Sequence, residues 1–129
     1  MSTPRSVTKV KPSVEALKAL NSYLEEMRLY RENRNRPNNP LYYVCKLAEE
    51  VGEVSEAAVA LEGSRRKLKK LQAEGRTPLE AFTEELADVI NVAMLAGEQR
   101  DISPEALLIR AAEKMRDKRI GSGGGTSGK

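Results

Sequence analysis

Apolar residues recur every three or four positions along most of the chain, the period of helices that bury one face, and no segment alternates as a strand would. Three helix starts share one chemistry, a capping side chain followed by proline at the first helical position: Asn39-Pro40, Thr77-Pro78 and Ser103-Pro104. Thr77 followed by Glu80 also has the form of a capping box, and Ser13, just after Pro12, opens a fourth helix. The spacing predicts a first helix from about Ser13 to Glu32 that buries Leu17, Leu20, Leu24 and Met27 and ends in the polar run Asn33 to Asn39. A second runs from about Pro40 to Glu62, with Val44, Leu47, Ala48, Val51, Val54, Ala58 and Leu61 toward the core, and stops at Gly63. The helix from about Pro78 to Arg100 turns Phe82, Leu86, Val89, Ile90, Ala93 and Ala96 inward. The last, from about Pro104 to Arg119, carries Leu107, Leu108, Ala111 and Met115 on one side and Arg110, Lys114 and Lys118 on another. Between the second and third, Arg65 to Gln72 is long enough for a short extra helix, but its charge and the flanking Gly63 and Gly75 favour a mobile connection.

The resulting class is all-α, a four-helix bundle with room for a short fifth helix. Residues 1–12 read as a flexible N-terminus, 13–119 as a single α-helical domain and 120–129 as a flexible Gly/Ser tail. A length of 129 residues suits one domain with a modest core. Helices joined by short loops pack antiparallel, and a bundle core can hold a metal site. With so few large apolar residues per helix, a second copy of the chain is expected to complete the bundle, as a two-fold homodimer or a higher homo-oligomer.

Charge changes this picture more than composition does. The chain is 40% hydrophobic and 32% charged, with 4% aromatic residues and no Trp, and its formal charge of +3 is too mild to argue for nucleic acid. The signs, however, are segregated. No Lys or Arg occurs between Lys46 and Arg65, where Glu49, Glu50, Glu53, Glu56 and Glu62 fall, nor between Arg76 and Arg100, where Glu80, Glu84, Glu85, Asp88 and Glu98 fall. Basic residues collect in Arg28 to Arg36, Arg65 to Lys70 and Arg110 to Arg119. A surface built only for solubility intersperses the signs. The Arg65 to Lys70 run carries no interleaved aromatic, which favours a solvated connection or a lid over a nucleic-acid contact.

Cys45 is alone and the chain has no His, which excludes a disulfide within the chain and a Cys-His nucleophile. Cys45 itself is expected to pack as a small apolar residue. The first residues lack the apolar run of a signal peptide, and no stretch approaches the roughly 20 apolar residues that span a bilayer, so the expected location is cytoplasmic.

Carboxylates three and four residues apart share one helix face and repel by a few tenths of a kcal/mol per pair. On the second helix Lys46, Glu49, Glu50, Glu53 and Glu56 share a sector of roughly 120° beside the apolar stripe. Glu84, Glu85, Asp88 and Asn91 do the same on the helix from Pro78. Glu50 with Glu53, and Glu85 with Asp88, make two i,i+3 pairs of oxygen ligands. That set suits hard Mg²⁺, with Mn²⁺ as a substitute, while the absence of His argues against di-iron and most zinc sites. Mg²⁺ completes its shell with water and substrate phosphates, which points to a phosphate ester or anhydride. The bland alternative is two solvated acidic faces. Lys46 could then simply pair with Glu50, and Asn91, Lys114 and Lys118 could be surface groups. Tyr42 and Tyr43 fit either the core or a nucleobase.

Lys46-Leu47-Ala48-Glu49-Glu50-Val51-Gly52-Glu53 followed by Glu85-Leu86-Ala87-Asp88-Val89-Ile90-Asn91 resembles the paired EExxE and ExxD signature of the MazG-like all-α nucleoside triphosphate pyrophosphohydrolases, over roughly residues 42–119. The resemblance implies Mg²⁺-dependent hydrolysis of a ribo- or deoxyribonucleoside triphosphate to monophosphate and pyrophosphate, in a fold of that all-α type completed by dimerisation. It implies that Glu50, Glu53, Glu85 and Asp88 hold metal and that Glu49 orients or deprotonates the attacking water. Lys46, Asn91 and Lys114 become substrate contacts. The chain departs from the pattern in its lengthened basic connection from Glu62 to Arg76 and in its scarcity of aromatics. Phosphoribosyl-ATP pyrophosphohydrolase is the alternative within the same superfamily. From a different class, the alternative is a non-catalytic helical regulator that binds nucleotide or protein.

Overall fold

A computed structural model describes residues 13–33 and 35–124, which contain five helices and no strand: α1 (Val14–Arg31), α2 (Pro40–Leu61), α3 (Arg65–Ala73), α4 (Pro78–Glu98) and α5 (Pro104–Gly124). The expected flexible ends at residues 1–12 and 125–129 lie outside the described residues. The described residues up to Arg36 and those from Pro37 onward form two compact units. Among the described residues, no helix is long and apolar enough to cross a membrane.

Helix starts follow the capping chemistry closely. Ser13 Oγ accepts from Ala16 N at 3.0 Å, Asn39 Oδ1 from Leu41 N at 2.9 Å and Ser103 Oγ from Ala106 N at 3.1 Å. At α4 the capping box is complete: Thr77 Oγ1 accepts from Glu80 N at 3.1 Å, and Glu80 Oε1 accepts from Thr77 N at 2.9 Å. The ends of three helices share one device as well. Gly63 (φ 98°), Gly75 (φ 72°) and Asp101 (φ 61°) each take the left-handed conformation. The next residue then bonds back across six residues: Ser64 N to Val59 O, Arg76 N to Leu71 O and Ile102 N to Gly97 O. Gly97 also leaves room for the next helix, since a Cβ there would stand 2.9 Å from Leu107 Cδ1.

In the unit that begins at Pro37, α2 packs along α4, α3 lies against both, and α5 meets only α4 among the described elements. The pair is antiparallel. Late α2 residues Ala57 and Ala60 cluster with early α4 residues Ala81 and Phe82, whereas the earlier Glu50 approaches the later Glu85 and Asp88. Alanines at the crossing let the helices come close, and Leu71 of α3 closes the cluster. Tyr43, 2% exposed, anchors the start of α2, and its hydroxyl donates to Pro37 O at 2.9 Å.

Several expectations need correction. Arg65–Ala73 is a helix rather than a mobile connection, because Leu71 is buried, the left-handed Gly75 closes its end and Lys67 pairs with Glu56 at 3.4 Å. The helix α5 continues to Gly124, past the expected stop at Arg119, since glycine can hold the helical conformation at a cost of about 1 kcal/mol each relative to alanine. Cys45 is exposed rather than packed. In α1, Met27 is buried but Leu17 and Leu20 are exposed.

The largest correction concerns which face of α2 and α4 is covered. Of the expected core stripe, Leu47, Val54 and Ala58 are half-buried, while Val44, Ala48 and Val51 are exposed; on α4, Leu86 and Ile90 are exposed. The buried residues are instead Tyr43, Ala57 and Ala60 on α2 and Ala81, Val92, Met94 and Leu95 on α4. Both helices are thus rotated, so that the covered face runs through the carboxylates rather than beside them.

Candidate metal and phosphate site

Helical spacing explains how carboxylates enter a packed seam. Glu50 stands seven residues from both Tyr43 and Ala57, which are buried, so all three lie on nearly one line along α2. On α4, Glu85 is four residues after buried Ala81 and seven before buried Val92, and Asp88 is seven after Ala81 and four before Val92. Burying these stripes therefore drives carboxylates from two helices together. One oxygen each from Glu50, Glu85 and Asp88 lies within 4.8 Å of the other two. The side chains of Glu50 and Glu85 are only 13% and 14% exposed, whereas Asp88 opens to solvent.

The crowding is legible in the protonation of Glu85. Burial first, then the charges of Glu53 and Asp88, push its carboxyl above the usual carboxylate range, against an opposing pull from Arg76. Three converging oxygens whose repulsion Arg76 and Lys46 offset only in part, at 3.5 and 3.7 Å, fit a hard divalent cation, whose ligand oxygens sit roughly 3 to 4 Å apart in an octahedral shell. Glu50, Glu85 and Asp88 are the residues placed to hold one.

Other expected site residues fall around this cluster. Glu53 is exposed, outside the close trio, but lines a groove with Glu85. Glu49 faces outward at 60% exposure and accepts from Lys46 Nζ at 2.7 Å. Lys46 Nζ also lies 3.7 Å from Glu50 Oε2, and its pKa is raised, chiefly by the bond to Glu49. Asn91 is half-buried one turn beyond Asp88. Lys114 stands on an exposed stretch of α5. Of the two tyrosines, Tyr43 is core and Tyr42 is exposed, their rings edge to face at 5.0 Å.

Sequence reasoning missed Arg76. It precedes the α4 cap and reaches Glu74 Oε1 at 3.3 Å, Glu84 Oε1 at 2.8 Å and Glu85 Oε2 at 3.5 Å, while its buried Nε has no hydrogen-bond acceptor. The only signal was its place, the last cation before an acidic helix. Beside it, α2, α3 and α4 enclose a groove of about 120 Å³ that shares Glu85 with the carboxylate trio.

Residues 16–115 match the phosphoribosyl-ATP pyrophosphohydrolase family. The chain belongs to that family. No curated protein and no solved structure matches the sequence. Membership makes the protein a hydrolase of phosphoric anhydrides that acts on nucleotides. The family lies within the MazG-like all-α superfamily, so the signature resemblance holds at that coarser level. Pyrophosphohydrolases of this family typically need a divalent metal, in keeping with the oxygen cluster between α2 and α4.

Proposed function

We propose that the protein is a Mg²⁺-dependent nucleoside triphosphate pyrophosphohydrolase that converts a ribo- or deoxyribonucleoside triphosphate to the monophosphate and pyrophosphate. The observation that carries this reading is the convergence of Glu50, Glu85 and Asp88 oxygens within 4.8 Å at a seam between two helices. In the reaction, water forms a new P–O bond, the anhydride between the α- and β-phosphates breaks, and the attacking water loses a proton. A hard divalent cation, when bound, neutralises the phosphate charge and polarises the P–O bonds. Glu50, Glu85 and Asp88 hold it, with Glu53 adjacent. Glu49, released from Lys46, accepts the proton of the attacking water, and Lys46 and Asn91 contact substrate. The assignment of cytoplasmic location goes with these nucleotide substrates.

The reading includes a homodimer. Leu41 and Val44 on α2 are 68% and 55% exposed, and Leu79 and Ile90 on α4 are 65% and 53% exposed. Such a surface suits a helical partner. A dimer also accounts for Lys114 as a phosphate contact, since within one chain its helix meets α4 alone.

Family membership favours a second reading of the substrate, phosphoribosyl-ATP, with the same bond cleaved by the same carboxylates. Incubation with a panel of common and modified triphosphates and phosphoribosyl-ATP, with Mg²⁺ and product chromatography, separates the two. Monophosphate plus pyrophosphate is expected from nucleoside triphosphates, and Asp88→Asn or Glu53→Gln should abolish it while circular dichroism stays helical. Release of orthophosphate and diphosphate, or full activity in Asp88→Asn, overturns the reading.

A further inference from the structure

The groove between α2, α3 and α4 is built from an unusual mixture. Its cations are Lys67 and Lys70, one turn apart on α3, and Arg76; its anions are Glu53 and Glu56 of α2, Glu74 after α3, and Glu85. Lys67, Lys70 and Leu71 of α3 and Glu74 just after it recur at helical spacing along the groove, whereas Arg66 and Lys69 lie outside the lining. Of these cations Lys67 is half-buried beside Leu71 and pairs with Glu56 at 3.4 Å, while Lys70 stands exposed at the rim of the groove. Lys70 makes no ion pair among the described residues, and Arg76 Nε is buried without an acceptor.

With four carboxylates against three cations, this groove repels a phosphate as it stands. A divalent cation held by Glu50, Glu85 and Asp88 offsets two of the negative charges at this end of the groove and gives phosphate oxygens a direct electrostatic partner there. It also competes with Arg76 for Glu85 Oε2, a pairing already loose at 3.5 Å. Arg76 would keep Glu84 at 2.8 Å and still point its freed N–H groups into the groove.

We propose that this groove is a metal-gated seat for the polyphosphate end of the nucleotide, held by Lys67, Lys70 and Arg76 and occupied after hydrolysis by pyrophosphate. The inference rests on the pyrophosphohydrolase reading for its ligand, and it assigns a binding role to α3, the segment by which the chain departs from the signature pattern.

The test is calorimetric titration of the full chain with inorganic pyrophosphate and, separately, a nucleoside monophosphate, with Mg²⁺ or with EDTA, alongside steady-state kinetics. Pyrophosphate should bind only with Mg²⁺. Lys67→Ala with Lys70→Ala should weaken it about tenfold or more, raise KM more than it lowers kcat, and leave monophosphate affinity unchanged. The charge-matched pair Arg66→Ala with Lys69→Ala should change neither. Equal weakening by both pairs, or none by the groove pair, overturns the proposal while leaving hydrolysis itself intact. Pyrophosphate binding that needs no metal overturns the gating. If no triphosphate is cleaved but pyrophosphate still binds as stated, the groove stands and the reaction assignment falls.

Discussion

On one flank of the α2–α4 pair, Glu50, Glu85 and Asp88 crowd together and Glu49, Glu53, Glu84 and the α3 groove border them; on the other flank, Val44, Val51, Leu86 and Ile90 stand exposed. The two stripes are related by simple geometry. Val51 follows Glu50 by one residue and Leu86 follows Glu85 by one, a step of about 100° around each helix. In an antiparallel pair equal steps lead to the same side, so both helices turn apolar residues to one flank and acids to the other. A chain serving only its own stability would do the reverse, burying the valines and leaving the glutamates in water. The difference is the one that the proposed function requires, with a cation on one flank and an apolar partner on the other.

Removing a cluster oxygen should break the charged flank outright. Glu50→Gln keeps shape and polarity but withdraws one negative ligand, so turnover should fall at least about a hundredfold with the fold intact. Product chromatography and circular dichroism read the two parts. On the apolar flank, Ile90→Glu places a charge where a partner helix is expected, and analytical ultracentrifugation should show the dimer replaced by monomer. A monomer already in the unsubstituted protein would show that the exposed stripe serves some other end.

Sequence pattern revealed the helices well, because caps and stops are local chemistry: Asn39, Thr77 and Ser103 act on backbone within three residues of themselves. Of the four carboxylates it grouped, Glu50, Glu85 and Asp88 come together and Glu53 stands outside the trio. It misjudged the rotation of α2 and α4, because two apolar stripes and one acidic stripe compete for the single buried arc, and periodicity cannot say which is covered within one chain. Val44 and Val51 look like core for the same reason that they suit an interface. Arg76 was invisible because its partner Glu84 is eight residues away across a helix start, a separation no periodic rule links. The helix α3 was underestimated since only one of its residues, Leu71, is buried, and that burial depends on alanines from two other helices.

A smaller effect separates the uncrowded end of α4 from its crowded middle. Thr77→Ala removes the side-chain acceptor for Glu80 N and should cost about 1 kcal/mol by denaturant unfolding, with no change in metal-dependent activity. A loss of activity in that variant would mean that the cap holds Arg76 and Glu85 in place as well.

Finally, acidification should act oppositely on two glutamates of the same helix. Glu80 is held below the usual carboxylate range, first by its bond from the Thr77 backbone, so its contribution to stability is full above that range and is lost as pH falls through its lowered value. Glu85 is raised by burial and by Glu53 and Asp88, so the folded chain binds its proton more tightly than the unfolded chain does, and its ionisation costs stability as pH rises from the usual carboxylate range through the raised value. In EDTA, Glu85→Gln should therefore melt above the unsubstituted protein at neutral pH, and the gap should close toward the acid side. Mg²⁺ should shrink or invert it, because a bound cation relieves the repulsion that the substitution removes. Glu80→Gln should show the opposite trend, with a deficit that fades on acidification and is indifferent to metal. A Glu85→Gln gap that does not vary with pH would locate its effect in packing rather than in charge.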